Sequence, residues 1–142
     1  MNKTYIPKKQ GDQWYLIDAK NQTLGRLSTQ IAKILTGKVS LTYTAYLENS
    51  SRIIITNAKY INVTGQKKQQ KIYRRHSGRP GGLKTETFEE LQSRIPNRIL
   101  EKSIRGMLPK GPLGYTLFRK LKIYSDNHHP HIAQNPTTLS IC

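Results

Sequence analysis

Two short apolar runs separated by an amphipathic segment constrain the fold of this chain most. The runs cover residues 14–19 and 52–57, and continuous apolar runs are typical of strands buried on both faces of a parallel sheet. Between them, residues 23–35 place Leu24, Leu27 and Ile31 at helical spacing. The order strand, helix, strand predicts a right-handed βαβ unit. The fold class is therefore α/β, with a small, mainly parallel sheet and helices on its faces.

Local signals predict further elements. Residues 60–64 alternate apolar and polar side chains and are predicted to form a third strand. Thr87 and Glu90 have the spacing of a capping box, which opens a helix with an apolar stripe that Pro96 interrupts. Asn21 or Thr23 would begin the first helix, and a glycine would end it. The residues expected on the two stripes are Phe88, Leu91, Ile95, Ile99, Leu100, Ile104, Met107 and Leu108.

Residues 106–124 predict a rigid turn followed by a basic amphipathic helix. Proline at position 112 is favourable at a helix start, where its missing N–H would have no partner in any case. Leu113, Leu117 and Leu121 recur every four residues, and Phe118 widens the stripe. The segment has no acidic residue, and its cations are Lys110, Arg119, Lys120 and Lys122. An ordinary surface helix with solvated cations is the alternative interpretation.

The net charge favours a polyanionic partner. The chain has 142 residues, with 24 Lys and Arg against 8 Asp and Glu, for a net charge of +16. A compact domain with this charge repels itself unless a polyanion neutralises it, so nucleic acid is the expected partner. A membrane surface is the weaker alternative, because no helix pairs a large apolar face with a lysine face. A membrane span is not expected, because no apolar run approaches about 18 residues. Residues 1–7 contain no apolar signal core, so the protein is expected to work where it is made.

A glycine-rich basic loop is predicted at residues 66–84. Glycines let backbone N–H groups approach phosphate oxygens, and arginines supply bidentate donors. Tyr73 or His76 would stack on an unpaired base. A charge run is usually a solvated face, but the interleaved glycines and the net charge favour an RNA contact. Its candidate residues are Lys67, Lys68, Arg74, Arg75, His76, Arg79 and Lys84, and a second cluster is Arg105, Lys110, Arg119, Lys120 and Lys122.

Little in the sequence favours catalysis, a metal or a cofactor. The acids are scattered, Asp18 is expected to form a turn, and Gly25 alone does not make a nucleotide-binding loop. Cys142 is the only cysteine, which excludes a disulfide within these residues and a cysteine-based zinc site. No metal, cofactor or small-molecule substrate is predicted. A histidine-dependent nuclease using His76 or His128 stays open as an alternative.

One domain spanning residues 1–142 is expected. It would carry a basic N-terminal arm at residues 1–12, the basic loop at 66–84 and a loose C-terminal tail at 135–142.

An ordered series of short motifs resembles the large-subunit ribosomal protein L13 family, in its bacterial form and in plastid-encoded versions from red-type algae. The series runs through nearly the whole chain: Trp14-Tyr15-x-x-Asp18-Ala19, Thr23-Leu24-Gly25-Arg26-Leu27-Ser28, Val63-Thr64-Gly65, Tyr73-x-x-His76-Ser77-Gly78-x-x-Gly81-Gly82, Thr87-Phe88-Glu89-Glu90, Gly106-Met107-Leu108-Pro109-Lys110-Gly111-Pro112-Leu113-Gly114, Phe118-Arg119-Lys120-Leu121-Lys122-x-Tyr124 and His131-x-Ala133-Gln134. One piece would be weak evidence, but the ordered set is specific. Residues 48–51 depart from the family's Asp-Thr-Gly-Asp-like run.

The resemblance implies a fold and a function. The fold would have three α/β/α layers around a four-stranded, mostly parallel sheet. The function would be non-enzymatic binding of 23S-type ribosomal RNA and support of early subunit assembly, beside neighbouring large-subunit proteins. The ribosome would be in the plastid (chloroplast) stroma or, alternatively, in a bacterial cytoplasm. A regulatory RNA-binding protein outside the ribosome is the other alternative.

Overall fold

A computed structural model describes residues 6–7 and 11–140 and confirms the βαβ unit. Strand β1 (Gln13–Asp18) and strand β2 (Ser51–Thr56) pair in parallel, and helix α1 (Leu24–Thr36) connects them. The central isoleucines of β2, Ile53 to Ile55, are fully buried. In β1, only Ile17 is fully buried. The prediction of burial on both faces is therefore confirmed for β2 and wrong for β1. Most of the predicted N-terminal arm, residues 1–5 and 8–10, lies outside the described residues.

The main sheet has four strands in the order β5-β2-β1-β6, and every pairing is parallel. Strand β5 (Leu121–Ile123) lies beside β2, and β6 (Thr137–Thr138) lies beside β1. This confirms the expected small parallel sheet. The prediction of a loose tail at residues 135–142 is wrong in part. Residues 137–138 form β6, and Leu139 N–H donates to the Leu16 carbonyl at 2.8 Å.

The other α-helices and strands lie between β2 and β5. They are helices α2 (Lys67–Gln70), α3 (Phe88–Arg94), α4 (Asn97–Met107) and α5 (Pro112–Arg119), with an antiparallel hairpin of β3 (Ile72–His76) and β4 (Leu83–Thr87). The expected third strand is wrong: a 3₁₀ helix, Ala58–Tyr60, and a single bridge at Asn62 occupy that stretch. The expected basic loop at 66–84 is also largely wrong, because most of it is α2 and the hairpin.

The hydrophobic core lies on one face of the main sheet. Ile53, Ile55 and Leu121 belong to it together with the buried residues of α1, α3, α4 and α5, whereas Ile54, on the opposite face of β2, does not. The crossovers β1-α1-β2 and β2-to-β5 advance in one direction across the sheet, which places their helices on the same face. On the other face, the His131 ring lies 5.3 Å from that of Trp14, and a second 3₁₀ helix, Ile132–Gln134, follows it. Helical segments thus lie on both sides of the sheet, which confirms the predicted α/β layers.

Helix ends follow the predicted local signals. Thr87 Oγ1 accepts from Glu90 N–H, and Glu90 Oε2 accepts from Thr87 N–H, which completes the capping box of α3. Thr23 occupies the N-cap position of α1, but its side chain makes no capping hydrogen bond, so that prediction is confirmed only in position; Gly37 ends the helix in the left-handed conformation as predicted. Two predicted core residues are exposed, because Ile95 follows the last residue of α3 and Met107 is the last residue of α4.

The predicted basic helix begins at Pro112 as expected but is shorter than expected. It ends at Arg119, and the chain then pairs with β2, beginning with Ile53 N–H donating to the Lys120 carbonyl at 3.1 Å. Leu121 therefore reaches the core from a strand. The expectation that Lys120 and Lys122 lie on a helix is wrong for this reason.

Gly114 fits α5 against the turn that precedes it. A Cβ at Gly114 would overlap the Pro109 carbonyl oxygen, so only glycine allows this approach of backbone to backbone. Gly111, the N-cap residue, has a φ of 116°, which also favours glycine. The turn is therefore a rigid bracket between α4 and α5.

We expect Gly114→Ala to lower the free energy of unfolding by about 1–3 kcal/mol, because the turn must shift to admit the methyl group. Gly106→Ala is the matched control, since Gly106 lies in α4 with open space around its Cβ position. The control should be neutral or raise the free energy of unfolding by up to about 1 kcal/mol. Urea denaturation of both variants measures this, and equal stabilities would contradict the close approach.

Candidate nucleic-acid interface

The hairpin presents its cations in a fixed register. Tyr73 pairs with Glu86 and Arg75 pairs with Lys84, so these four residues share one face of the ribbon. Ser77 N–H donates to the Gly82 carbonyl, and Gly82 N–H donates to the Arg79 carbonyl, which closes the turn. The glycine-rich part of the sequence is thus the tip of a defined hairpin.

A groove of about 340 Å³ lies between the hairpin and helices α3, α4 and α5. Its walls carry seven cationic side chains and two acidic ones, Glu86 and Glu101. All seven cationic side chains are exposed. They are Arg74, Arg75, Lys84, Arg94, Arg98, Lys102 and Arg105. We call this set and the space it lines the basic groove.

Aromatic rings hold several cations in place around the groove. Tyr73 is buried, and Lys102 Nζ and Lys71 Nζ lie 5.1 and 5.6 Å from its ring centroid. Burial also raises the pKa of the Tyr73 phenol, so that it stays neutral. Arg105 lies 5.3 Å from the centroid of Tyr115 and 5.9 Å from that of Phe118. Such contacts stabilise a cation by about 0.5–1 kcal/mol at exposed sites and limit its motion.

One acid in the groove is paired with one of its cations. Arg94 Nη2 donates to both carboxylate oxygens of Glu86 at 2.8 and 2.6 Å, which links α3 to β4. The hydrogen bond from Arg94 holds the pKa of the Glu86 carboxyl below its usual range. Glu86 is therefore charged at neutral pH, and it orients Arg94 at the cost of cancelling one positive charge.

Two smaller depressions extend the basic groove at its ends. One shares Arg75 and Lys84 with it and adds His76 at the hairpin tip. The other shares Arg105 and Phe118 and adds Lys110 in the turn before α5. The result is a continuous basic surface from the hairpin tip to the α4–α5 turn.

The structure thus brings together six of the candidates from both sequence clusters. Arg74, Arg75, Lys84 and Arg105 line the groove, and His76 and Lys110 lie at its ends. The other exposed candidates lie elsewhere: Lys67 and Lys68 on α2, Arg79 in the hairpin turn, Arg119 on the last turn of α5 and Lys122 on β5. Lys122 alternates with Leu121 and Ile123, which belong to or pack on the core, so it lies on the opposite face of the sheet.

Lys120 has a structural environment unlike the other candidates. It is buried, its Nζ lies 2.7 Å from Glu48 Oε1, and it also donates to the Asn49 carbonyl. Its charge is neutralised within the protein, so it is not included in the interface proposed below. The contact also ties the segment before β2 to the α5–β5 junction.

Sequence reasoning left Arg94, Arg98 and Lys102 out of the site. A usable signal was present, because these residues and Arg105 follow one another at intervals of four, four and three. That spacing places side chains on one face of a helix. Pro96, which separates α3 from α4, obscured the common face.

Other polar candidates have structural partners. Asp18 Oδ1 accepts from Lys20 N–H and from the Asn57 amide, which confirms its role in a turn. Tyr124 OH and His131 Nε2 are 2.9 Å apart, and the His131 ring lies 5.3 Å from that of Trp14, so His131 packs against the sheet. His76 Nδ1 accepts from Gly78 N–H within the hairpin turn. Across residues 6–7 and 11–140, no group of three or more metal-binding side chains converges.

Comparison with known proteins gives a consistent result. The profile of a family described as Ribosomal protein L13 matches residues 12–130. The large ribosomal subunit protein uL13c of Pyropia yezoensis is 59% identical over 137 residues, which is 96% of each chain. The protein of the same name from Gracilaria tenuistipitata var. liui is 59% identical over 99% of each chain. The large ribosomal subunit protein uL13 of Synechococcus sp. (strain CC9311) is 56% identical, covering 99% of this chain and 95% of its own.

The chain belongs to the ribosomal protein L13 family.

The family match extends over every element that builds the basic groove, from the hairpin to α5. In the part of this L13-family chain that the structure describes, no helix has the length and apolar character needed to cross a membrane.

Replacing Lys120 should separate a structural lysine from an interface lysine. We expect Lys120→Ala to lower the free energy of unfolding by about 1–3 kcal/mol, because Glu48 and the Asn49 carbonyl lose a buried partner. The salt dependence of RNA binding should not change. Lys122→Ala, an exposed neighbour, is the control and should leave stability nearly unchanged. Thermal denaturation measures the stability of both variants, and RNA titrations at several salt concentrations measure the salt dependence of binding. A reduced salt slope for Lys120→Ala would show that Lys120 contacts RNA.

Proposed function

We propose that this L13-family chain is a structural, non-enzymatic component of the large ribosomal subunit that binds 23S-type ribosomal RNA through the basic groove and supports early subunit assembly. The observation that carries the proposal is the groove itself, where cations from a hairpin and two consecutive helices line one space. The names of the relatives, large ribosomal subunit proteins uL13c and uL13, support the setting.

The groove supports binding to a folded RNA backbone. Its arginines offer paired N–H donors to phosphate oxygens, and each phosphate that is neutralised releases condensed counterions. Ring contacts at Lys102 and Arg105 and the Glu86 pair at Arg94 orient three cations before RNA arrives. Less side-chain freedom is then lost on binding, which favours affinity. Such contacts position the protein, and RNA shape supplies the selectivity.

The same arrangement supports a role in assembly. Cations from distant parts of the chain lie on one surface that runs from His76 to Lys110. RNA segments that approach both ends repel each other less when the protein lies between them. The protein would therefore stabilise a folded arrangement of RNA, with neighbouring large-subunit proteins beside it.

The plastid stroma is the location we propose for this ribosome. The uL13c proteins of Pyropia yezoensis, Porphyra purpurea and Gracilaria tenuistipitata var. liui support it. The Synechococcus and Prochlorococcus relatives fit the alternative, a bacterial cytoplasm.

Sedimentation tests the proposal against an RNA-binding role outside the ribosome. We expect the tagged chain to travel with large subunits through a sucrose gradient and to remain on them after a high-salt wash. A ribosomal component is held by many contacts at once, whereas a regulator would be released. Tagged chain found only at the top of the gradient, with large subunits intact, would refute a ribosomal role.

Loss of two groove cations should change the salt dependence of RNA binding. We expect Arg74→Ala with Arg75→Ala to weaken binding to large-subunit RNA and to reduce the slope of log affinity against log salt by about 2, since each phosphate contact contributes about 1. The matched control is Arg26→Ala with Lys33→Ala, which removes the same charge from exposed positions on α1 away from the groove. Filter binding at four salt concentrations gives both slopes, and equal slopes would exclude the groove as the main contact.

A further inference from the structure

We propose that residues 39–47, the apolar loop, form a docking surface for apolar side chains of a second protein, directly beside the basic groove. The inference rests on the proposed function only in placing that protein within the large subunit. Its evidence is separate, because the apolar loop contributes no residue to the groove.

The apolar loop exposes several large apolar side chains. Leu41 is fully exposed, Val39 is 71% exposed and Tyr46 is 66% exposed. Tyr43 and Leu47 are less exposed, at 44% and 36%. Single exposed apolar residues are ordinary, but a cluster within nine residues marks an interaction surface.

Contacts at both ends hold the apolar loop in place. At its start, Gly37 N–H donates to the Ile34 carbonyl in the left-handed turn that ends α1. At its end, the Asn49 amide donates to the same Ile34 carbonyl at 2.9 Å. The buried Lys120 binds both Glu48 and the Asn49 carbonyl. These anchors keep the two ends of the loop together on the core, so the apolar side chains between them are presented outward.

A pocket under the apolar loop can receive a partner side chain. Its volume is about 300 Å³, and it lies between the loop and the α4–α5 turn. Among the described residues that line it, Lys38 alone is charged, and Met107 is 44% exposed. Seven of the ten residues that line it are apolar by type: Ala45, Leu47, Met107, Leu108, Pro109, Leu113 and Leu117.

Charge identifies the class of partner. The chain has a net charge of +16, yet residues 39–47 contain no charged residue at all. RNA binding depends mainly on cations that neutralise phosphates, and here the loop offers only hydroxyl and apolar groups. Apolar protein side chains gain from burial in such a pocket, as at the centres of protein interfaces. The favoured occupant is therefore a protein segment with one or two large apolar side chains.

The pocket and the basic surface meet at the same turn. Leu108 and Pro109 line both this pocket and the depression that contains Arg105 and Lys110. A protein docked on the apolar loop would therefore lie against RNA bound in the groove. Gly114 and Pro109, which make the turn rigid, would set the distance between the two partners.

Site-specific cross-linking in assembled subunits tests the proposal. Leu41, which is fully exposed and so tolerates replacement, is substituted by p-benzoylphenylalanine, and purified large subunits containing this chain are irradiated. Mass spectrometry should identify a peptide of one ribosomal protein with an apolar residue at the linked position. The same amino acid at Arg74 is the control and should link to RNA.

Two results would overturn the docking surface. One is a link from position 41 to nucleotides, which would mean that Tyr43 and Tyr46 stack on bases. The other is no link from position 41 while the Arg74 control links to RNA. Absence of both variants from large subunits would instead refute the proposed function, and with it this placement of the partner.

A substitution pair gives an independent measurement. Leu41→Ser with Tyr46→Ser should leave affinity for free large-subunit RNA unchanged but reduce retention on washed subunits by about tenfold or more, since large apolar anchors dominate interface energies. Val39→Ser with Thr44→Ser, at the same loop but without a large anchor, should have a smaller effect. A loss of free-RNA affinity in the first variant would count against a protein partner.

Discussion

The functional surface depends on the burial of the Tyr73 side chain, which reaches from β3 of the hairpin into the core. It is the only residue of β3 that the core buries, and Lys102 lies over its ring. With Tyr73 in the core, the register of β3 and β4 places Arg75 and Lys84 toward the helices. Together with the Arg94–Glu86 pair, this aromatic side chain aligns the ribbon against the helices and brings cations from distant parts of the sequence together.

Such a surface lowers the stability of the isolated protein. Seven cations line one groove with two acids, and like charges at this spacing repel one another. The Glu86–Arg94 ion pair reduces part of that repulsion, and burial of the hydrophobic core offsets the remainder. Any polyanion that binds the native groove also stabilises the fold, because ligands that bind only the native state shift the folding equilibrium.

Burial decides what each lysine does. Lys120 and Lys122 are two residues apart, yet the first anchors Glu48 inside the protein and the second is exposed on the far face of the sheet. The anchor supports the apolar loop, whose surface has the opposite chemistry to the basic groove. The α4–α5 turn joins the two surfaces, since Pro109 lines a depression of each.

The sequence by itself determined the local elements: the βαβ unit, the capping box at Thr87, the helix start at Pro112 and the cationic composition of the site. These are encoded by side-chain periodicity and by backbone groups within a few residues, so they can be read without the fold. Only the tertiary structure decided that Thr137–Thr138 completes the sheet, that Asn62 does not form a strand, that Lys120 is buried and that Arg94, Arg98 and Lys102 share a groove with Arg75. Each of these depends on contacts between residues far apart in the chain, whose partners no local pattern specifies.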